Sequence, residues 1–413
     1  MSDVNGFKNI RRAYRRQLLN HLRSGGELSV AELSEKSKLS KPTTMKLLTS
    51  YVDHGLVINV GKGNSTTEGG KPPTLFRFNE RAGFILVFHM FPDELYSAVT
   101  DLNSNIQRER SAPLSEMEGS PGIVDKMAAL YRDQLEALAL PTSKLIGVAV
   151  GAHGITDSAH GVIITSPHFP RWGENLPLRQ LFRDKTGYNG PILVDNQIRF
   201  QAYAEKVKGV ARNRRNIIAL EAGIGLVAGI IDRDEIKRGV HFLAGEIGHM
   251  VLNPCDEELC ACGGRGCFET MVSTKRIMRR VLERARRFPD STLFKNRRPE
   301  QLSVEDVFLE SNRGDALARE VMDETARWFA IGLWNLVLAH DPEIIVIQGI
   351  FTKAGDSFLE RVRLLMTEVS CPKVQRKVEI VYSQFGKEIG VIGASALVVN
   401  DYLAKRLVAL GIA

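Results

Sequence analysis

One imidazole and three thiols, those of His249, Cys260, Cys262 and Cys267, fall within the glycine-rich stretch Gly245–Glu269, G-E-I-G-H-M-V-L-N-P-C-D-E-E-L-C-A-C-G-G-R-G-C-F-E. Thiolate and imidazole are the preferred ligands of tetrahedral zinc. A closed four-ligand site also substitutes metal bonds for the apolar core that so short a segment cannot bury. Glu246 and Glu269 add carboxylates at the two ends of this knot. With four protein ligands a zinc ion keeps no open position for a hydrolytic water, so the expected Zn2+ is structural. Ordinary buried thiols or a redox switch are the alternatives, and Cys255 is a further thiol that could pair, compete as a ligand or merely pack.

The rest of the chain must position that knot. Its 413 residues, 44% apolar and 25% charged, suit a globular protein of two or three domains. No apolar run is long enough for a membrane span, and residues 1–16 lack the hydrophobic centre of a secretory signal. A cytoplasmic protein is expected. Four of the five cysteines crowd into the knot, which is not how a disulfide scaffold distributes them. Charge is segregated too: residues 1–81 hold 14 Lys+Arg against 7 Asp+Glu, leaving 41 of each in residues 82–413, so the whole net charge of +7 sits at the N-terminal end. That asymmetry points to a polyanion partner for this segment.

Helical spacing runs from Asn9 to Arg23, with Ile10, Tyr14, Leu18 and Leu22 on one face. Gly25-Gly26 ends it. Ser29 caps a short second helix, with Glu32 placed for a capping box, and a third helix runs from Pro42 to Asp53 with Met45, Leu48 and Val52 expected inside. Two short strands around Val57 and Phe76, joined by a polar loop, complete a winged helix-turn-helix. Its candidate DNA contacts are Arg11 and Arg15 on the first helix, Ser40, Lys41, Thr43, Thr44 and Lys46 on the third, and Lys62 and Lys71 in the wing. Short polar and basic side chains at the start of such a helix suit base edges and phosphates of double-stranded DNA. A basic protein-interaction module is the competing reading.

From Gly83 onward strands and helices alternate, which predicts an α/β body of two lobes with a cleft between them. The expected division is residues 1–81 for the winged helix, 82–196 for the first lobe and 197–413 for the second lobe with the knot, unless the closing helix from Gly390 returns to the first lobe.

Taken together, these segments resemble the ROK family of repressors, open reading frames and sugar kinases. The resemblance is carried by Gly245-Glu246-Ile247-Gly248-His249 leading to Cys260-x-Cys262-x4-Cys267-x-Glu269. Supporting segments are Gly154 with 161–167, Val194-Asp195-Asn196, Glu221-Ala222-Gly223-Ile224-Gly225 and 341–347. It implies an actin-like body of two ribonuclease-H-like lobes. With the winged helix in front it also implies a transcriptional regulator of the repressor branch, a homodimer or homotetramer that binds an inverted-repeat operator and answers to a monosaccharide or sugar phosphate. The family's sugar contacts map onto Asn196, Gln197, Glu246, His249 and Glu269, with backbone near Gly154.

The same resemblance argues against an enzyme. Family kinases read D-x-G-G-T at the first phosphate loop, where this chain has His89-Met90-Phe91-Pro92-Asp93. Ala222 and Leu226 alter the second loop, and Gln348-Gly349-Ile350 replaces a glycine run. The family's Asn-Asp pair, whose aspartate deprotonates the sugar hydroxyl, is Asn196-Gln197, and an amide cannot serve as a general base. No catalytic residue is therefore expected. An active sugar kinase with a DNA-binding domain, or a DNA-binding protein that ignores ligands, are the rival readings. His89, His153 and His168 stand isolated in the sequence and are expected in core or loop roles.

Overall fold

The structure, a computed structural model, describes residues 17–63, 72–115, 119–295, 298–371, 373 and 377–409. Among these no helix is long and apolar enough to cross a membrane. Helix α1 (17–25) turns Leu18, Leu19 and Leu22 inward. Strand β1 (Leu28–Ser29) leads into α2 (Val30–Ser37). The expected capping box is present: the Glu32 carboxylate accepts from Ser29 N and Oγ, both at 2.7 Å, while Glu32 N donates back to Ser29 Oγ. Helix α3 (Lys41–Asp53) carries Pro42 in its first turn and is capped by Ser40. Strands β2 (Val57–Lys62) and β3 (Thr74–Phe78) pair antiparallel, and β1 adds to β3 to close a three-stranded wing sheet.

The inward face of α3 differs from the one expected. Thr44, Leu47, Leu48 and Tyr51 are buried, whereas Met45 is 46% exposed. Both sets obey helical spacing, and the bulk of Leu47 and Tyr51 against α1 and the wing strands decides between them. Thr44 is 0% exposed and so cannot be a DNA contact; it belongs to the core, its hydroxyl without a partner among the described residues.

The body consists of two five-stranded sheets of one topology. The first is built from β4 (Phe84–Met90), β5 (Glu94–Asp101), β6 (Ile106–Pro113), β7 (Leu145–Ala152) and β10 (Ile192–Asn196) in the order β10-β7-β4-β5-β6. A small hairpin, β8 (Ile155–Asp157) with β9 (Val162–Thr165), intervenes, and α4 (Ser120–Ala137) and α5 (Leu178–Thr186) cover the outer face. After α6 (Gln197–Val207) the second sheet follows: β11 (Ile217–Ala222), β12 (Leu226–Asp232), β13 (Glu235–Ile236), β14 (Ile344–Gly349) and β15 (Glu379–Tyr382), in the order β13-β12-β11-β14-β15. In each sheet an antiparallel meander is extended by two parallel strands, the ribonuclease-H-like arrangement. Helices α7 (Phe268–Val272), α8 (Thr274–Arg284), α9 (Val304–Arg313), α10 (Ala316–His340) and α11 (Asp356–Val369) cover the outer face of the second sheet.

The closing helix α12 (Ile389–Ala409) lies on the first sheet, against β4, β5 and β7, and packs along α6. Contact between these helices is close because a Cβ on Gly393 would come within 1.7 Å of the Phe200 carbonyl oxygen. One continuous apolar cluster joins Leu18, Leu22 and Phe76 of the winged helix to Leu102, Val391 and Leu403 of the body. Arg23 of α1 ties the same seam, donating to Leu102 O at 2.9 Å and lying 3.5 Å from Asn400 Oδ1 on α12. Asn400 in turn donates to Tyr203 Oη on α6 at 2.6 Å.

Candidate functional site

Strand β10 ends at Asn196, which caps α6: its Oδ1 accepts from Ile198 N and its Nδ2 donates to Gly154 O at 2.9 Å. The preceding Asp195 is buried and takes Arg199 at 2.6 Å and Arg238 at 2.8 Å, so a cation from each side of the cleft holds this corner in place. Gln197 opens α6. From the second sheet's side, Glu246 and His249 come from a short 3-10 turn and Glu269 from the first turn of α7. Gly154, Asn196, Gln197, Glu246, His249 and Glu269, all six expected from the sequence, line one cleft of about 470 Å³ between the lobes. A larger depression of about 810 Å³ elsewhere on the second lobe is lined by groups already bound to each other, such as Glu310 with Arg313.

Three further side chains belong to the cleft. His168 reaches the Glu269 carboxylate at 3.2 Å, His153 stacks on Phe169 with ring centres 4.3 Å apart, and Glu221 stands at the cleft end of β11. Both histidines lie in loop segments, as expected, and both also line the cleft. His168 and Glu269 lie 101 residues apart, and only folding brings them together. Glu221 had a local signal, a carboxylate at the end of the apolar strand Ile-Ile-Ala-Leu-Glu-Ala. His89 does lie in the core, 1% exposed.

The titrating groups divide by their surroundings. Burial pushes Glu246 and Glu221 up from the usual carboxylate range. Burial also opposes ionisation of Glu269, but hydrogen bonds from His168 and Leu226 N outweigh it and hold Glu269 low. The same bond to Glu269 raises His168, whereas burial drops His89 to about 4 and His153 to about 3.

Behind this wall, His249, Cys260, Cys262 and Cys267 place their ligand atoms within 4.8 Å of one another, a group that could hold a metal ion. A tetrahedron with metal–sulfur bonds of about 2.3 Å has edges of about 3.8 Å. Cys262 and Cys267 are 3.8 Å apart, and Cys260 lies 3.5 Å from His249 Nδ1, where a shorter metal–nitrogen bond shortens the edge. Donor types and spacing therefore fit. Burial pushes the Cys260 and Cys267 thiols up, an effect a bound cation reverses by stabilising thiolates. Cys255 is exposed and outside this group, as is Cys371. Arg276 ties the knot to α8 through Asp256 and Glu258, both at 2.5 Å.

At the turn between β4 and β5, Phe91 and Pro92 line the cleft, and Phe91 sits 4.6 Å from the His89 ring. The turn between β11 and β12 stays open, with Gly223 and Gly225, and borders a neighbouring hollow of about 440 Å³ that also holds Thr274, Lys275 and Ile350. On the winged helix, Ser40, Lys41, Thr43 and Lys46 are exposed at the start of α3, and Lys62 is exposed on β2. Ser40 Oγ is engaged by Thr43 as the helix cap. Arg11, Arg15 and Lys71 lie outside the described residues.

Comparisons with known proteins agree with this arrangement. The ROK family model matches residues 92–401, and the IclR helix-turn-helix domain model matches residues 17–60. A putative xylose repressor of Caldicellulosiruptor sp. (strain Rt8B.4) is 26% identical over 378 residues, 91% of this chain and 93% of the relative. A glucokinase of Halalkalibacterium halodurans is 31% identical over 287 residues, covering 69% of this chain and 86% of the enzyme. The crystal structure of a ROK family transcriptional regulator, a homologue of the E. coli MLC protein, superposes with a TM-score of 0.79 at 22% identity, over 98% of this chain and 99% of that one.

Proposed function

The chain belongs to the ROK family, and on that premise we propose that it is a sugar-responsive, DNA-binding transcriptional repressor that has given up sugar phosphorylation. The observation that carries the reading is the continuity of structure between cleft and winged helix. Asn196 and Gln197 open α6, α6 packs on α12, and α12 shares its apolar cluster and the Arg23–Asn400 contact with α1. A ligand that favours one relation of the lobes thereby favours one placement of the winged helices on two half-sites of an operator. Similarity over more than nine-tenths of its length to proteins named xylose repressors supports a sugar as that ligand.

Asn196, Gln197, Glu246, His249 and Glu269 would hold the sugar hydroxyls, because paired donors and acceptors discriminate strongly against ligands that lack them. Zinc is the metal that best suits one imidazole and three thiolates. It would fix the His249 ring through Nδ1, leaving the other nitrogen for a ligand hydroxyl. On the DNA side Lys41, Thr43 and Lys46 would face the major groove, with Ser40 as their cap and Lys62 on the wing. The unmatched charge of the first 81 residues also makes Arg11, Arg15 and Lys71 phosphate contacts in this reading. The similarity to a glucokinase favours a kinase as the second reading. Against it stand Gln197 where a base is needed and Phe91-Pro92 where backbone amides must approach a phosphate.

Recovery of genomic fragments bound by the purified protein, followed by release with a panel of sugars, tests the repressor reading, and ATP consumption with the same panel tests the kinase reading. Sugar-independent DNA binding or turnover of ATP would sink the proposal. Replacing Lys41 and Lys46 by Ala should lower the slope of log affinity against log salt by about 2, since each phosphate contact releases about 0.9 counterion. An unchanged slope would remove α3 from the DNA face.

A further inference from the structure

Side chains alternate along a strand, so β11 turns Ile217, Ala219 and Glu221 to the same side. Ile217 and Ala219 pack against Ala202 of α6, and the amides of Gln197 and Gln201, one helical turn apart, face the Glu221 carboxylate. No lysine or arginine is among the groups acting on that carboxylate. Oε2 of Glu221 and Oε1 of Gln197 are both buried without a partner among the described residues, and Gln197 is only 5% exposed. Both side chains line the cleft. Two neighbouring acceptors with no donor are costly unless a ligand brings O–H groups to them.

The charge around them is one-sided. Glu246 and Glu269 line the same cleft, and among the described residues Arg171 is the one lysine or arginine in its wall. The Arg171 guanidinium already donates to Pro92 O at 2.7 Å and Ser115 O at 2.8 Å, and His168 is held by Glu269. We propose that Glu221 is a specificity-determining residue that makes the cleft select neutral aldoses and reject their phosphate esters. Neutral hydroxyls donate to both orphaned oxygens, whereas a phosphate dianion would sit among three carboxylates, against one guanidinium already hydrogen-bonded to two carbonyls. This inference rests on the reading of the cleft as a sugar site.

Calorimetry on the full, metal-loaded chain with D-xylose, D-glucose, D-xylose 5-phosphate and D-glucose 6-phosphate tests it. At least one neutral sugar should bind, and its phosphate at least about 100-fold more weakly, the scale of a like-charge clash. Glu221→Gln keeps the side chain's shape and should narrow that ratio at least about tenfold by weakening the sugar and strengthening the phosphate. A phosphate that binds as well as its parent sugar, or a ratio untouched in E221Q with unaltered thermal unfolding, overturns the inference and leaves the sugar site standing. Should E221Q unfold early, the wild-type ratio decides alone. Failure of all four compounds to bind overturns both.

Discussion

The two walls of the cleft are built on opposite principles. On the knot wall the Glu269 carboxylate is engaged, taking Leu226 N at 2.9 Å and His168 at 3.2 Å, while His249 is held against Cys260. Around the start of α6, by contrast, Gln197 Oε1, Glu221 Oε2 at the end of β11 and His153 Nε2 after β7 have no partner among the described residues. A satisfied wall gains stability and a fixed geometry, whereas unsatisfied buried groups cost stability and are tolerable where a ligand completes them. With the cleft read as a ligand site, as proposed, the difference separates the residues that would frame it from those that a ligand would complete.

Four perturbations break or sharpen that contrast. Stripping the metal, or Cys260→Ser, should cost more than about 4 kcal/mol, because a structural ion supplies folding energy to a segment without a core. Thermal unfolding with metal analysis reads this, and an unchanged melt in metal-free protein would deny the knot its structural role. Glu269→Ala should cost about 3 kcal/mol in denaturant titrations, since it strands Leu226 N and His168 together. A neutral result there would erase the distinction between the walls.

The third perturbation is acid. His89 is held neutral in the fold, its pKa dropped to about 4, while the unfolded chain titrates near 6.5. The unfolded state therefore takes up the proton first, so this contribution is intact above pH 6.5 and is lost as pH falls to about 4, on the order of 3 kcal/mol. Replacing His89 by Leu should flatten that part of the stability–pH curve, and a curve of unchanged slope would refute the assignment. The smallest effect on stability belongs to Gln197→Ala, about 1 kcal/mol, because Oε1 has no hydrogen bond to lose and only the amide's bond to Glu221 goes. Calorimetry should nevertheless show sugar affinity falling at least about tenfold. A large loss of stability with affinity intact would place Gln197 among the framing residues.

Much of this was legible in the sequence because the signals were local. The Ser29–Glu32 capping box and the spacing of the knot cysteines each depend on neighbours a few positions away. Strand β6 carries no strand signal in the sequence, because Gln107, Arg108, Glu109 and Arg110 give this edge strand no apolar alternation. The inward turn of Thr44 was missed because two apolar stripes on α3 fit the same helical period.

By itself the sequence determined the knot's donor set, the segregation of basic charge and an amide at position 197, because residue type alone decides what can ligate, pair or accept a proton. Tertiary structure alone decided that His168 meets Glu269, that Glu221 faces Gln197 and that α12 links cleft to winged helix. Those contacts join positions tens to hundreds of residues apart, and no local periodicity records which surfaces will be packed together.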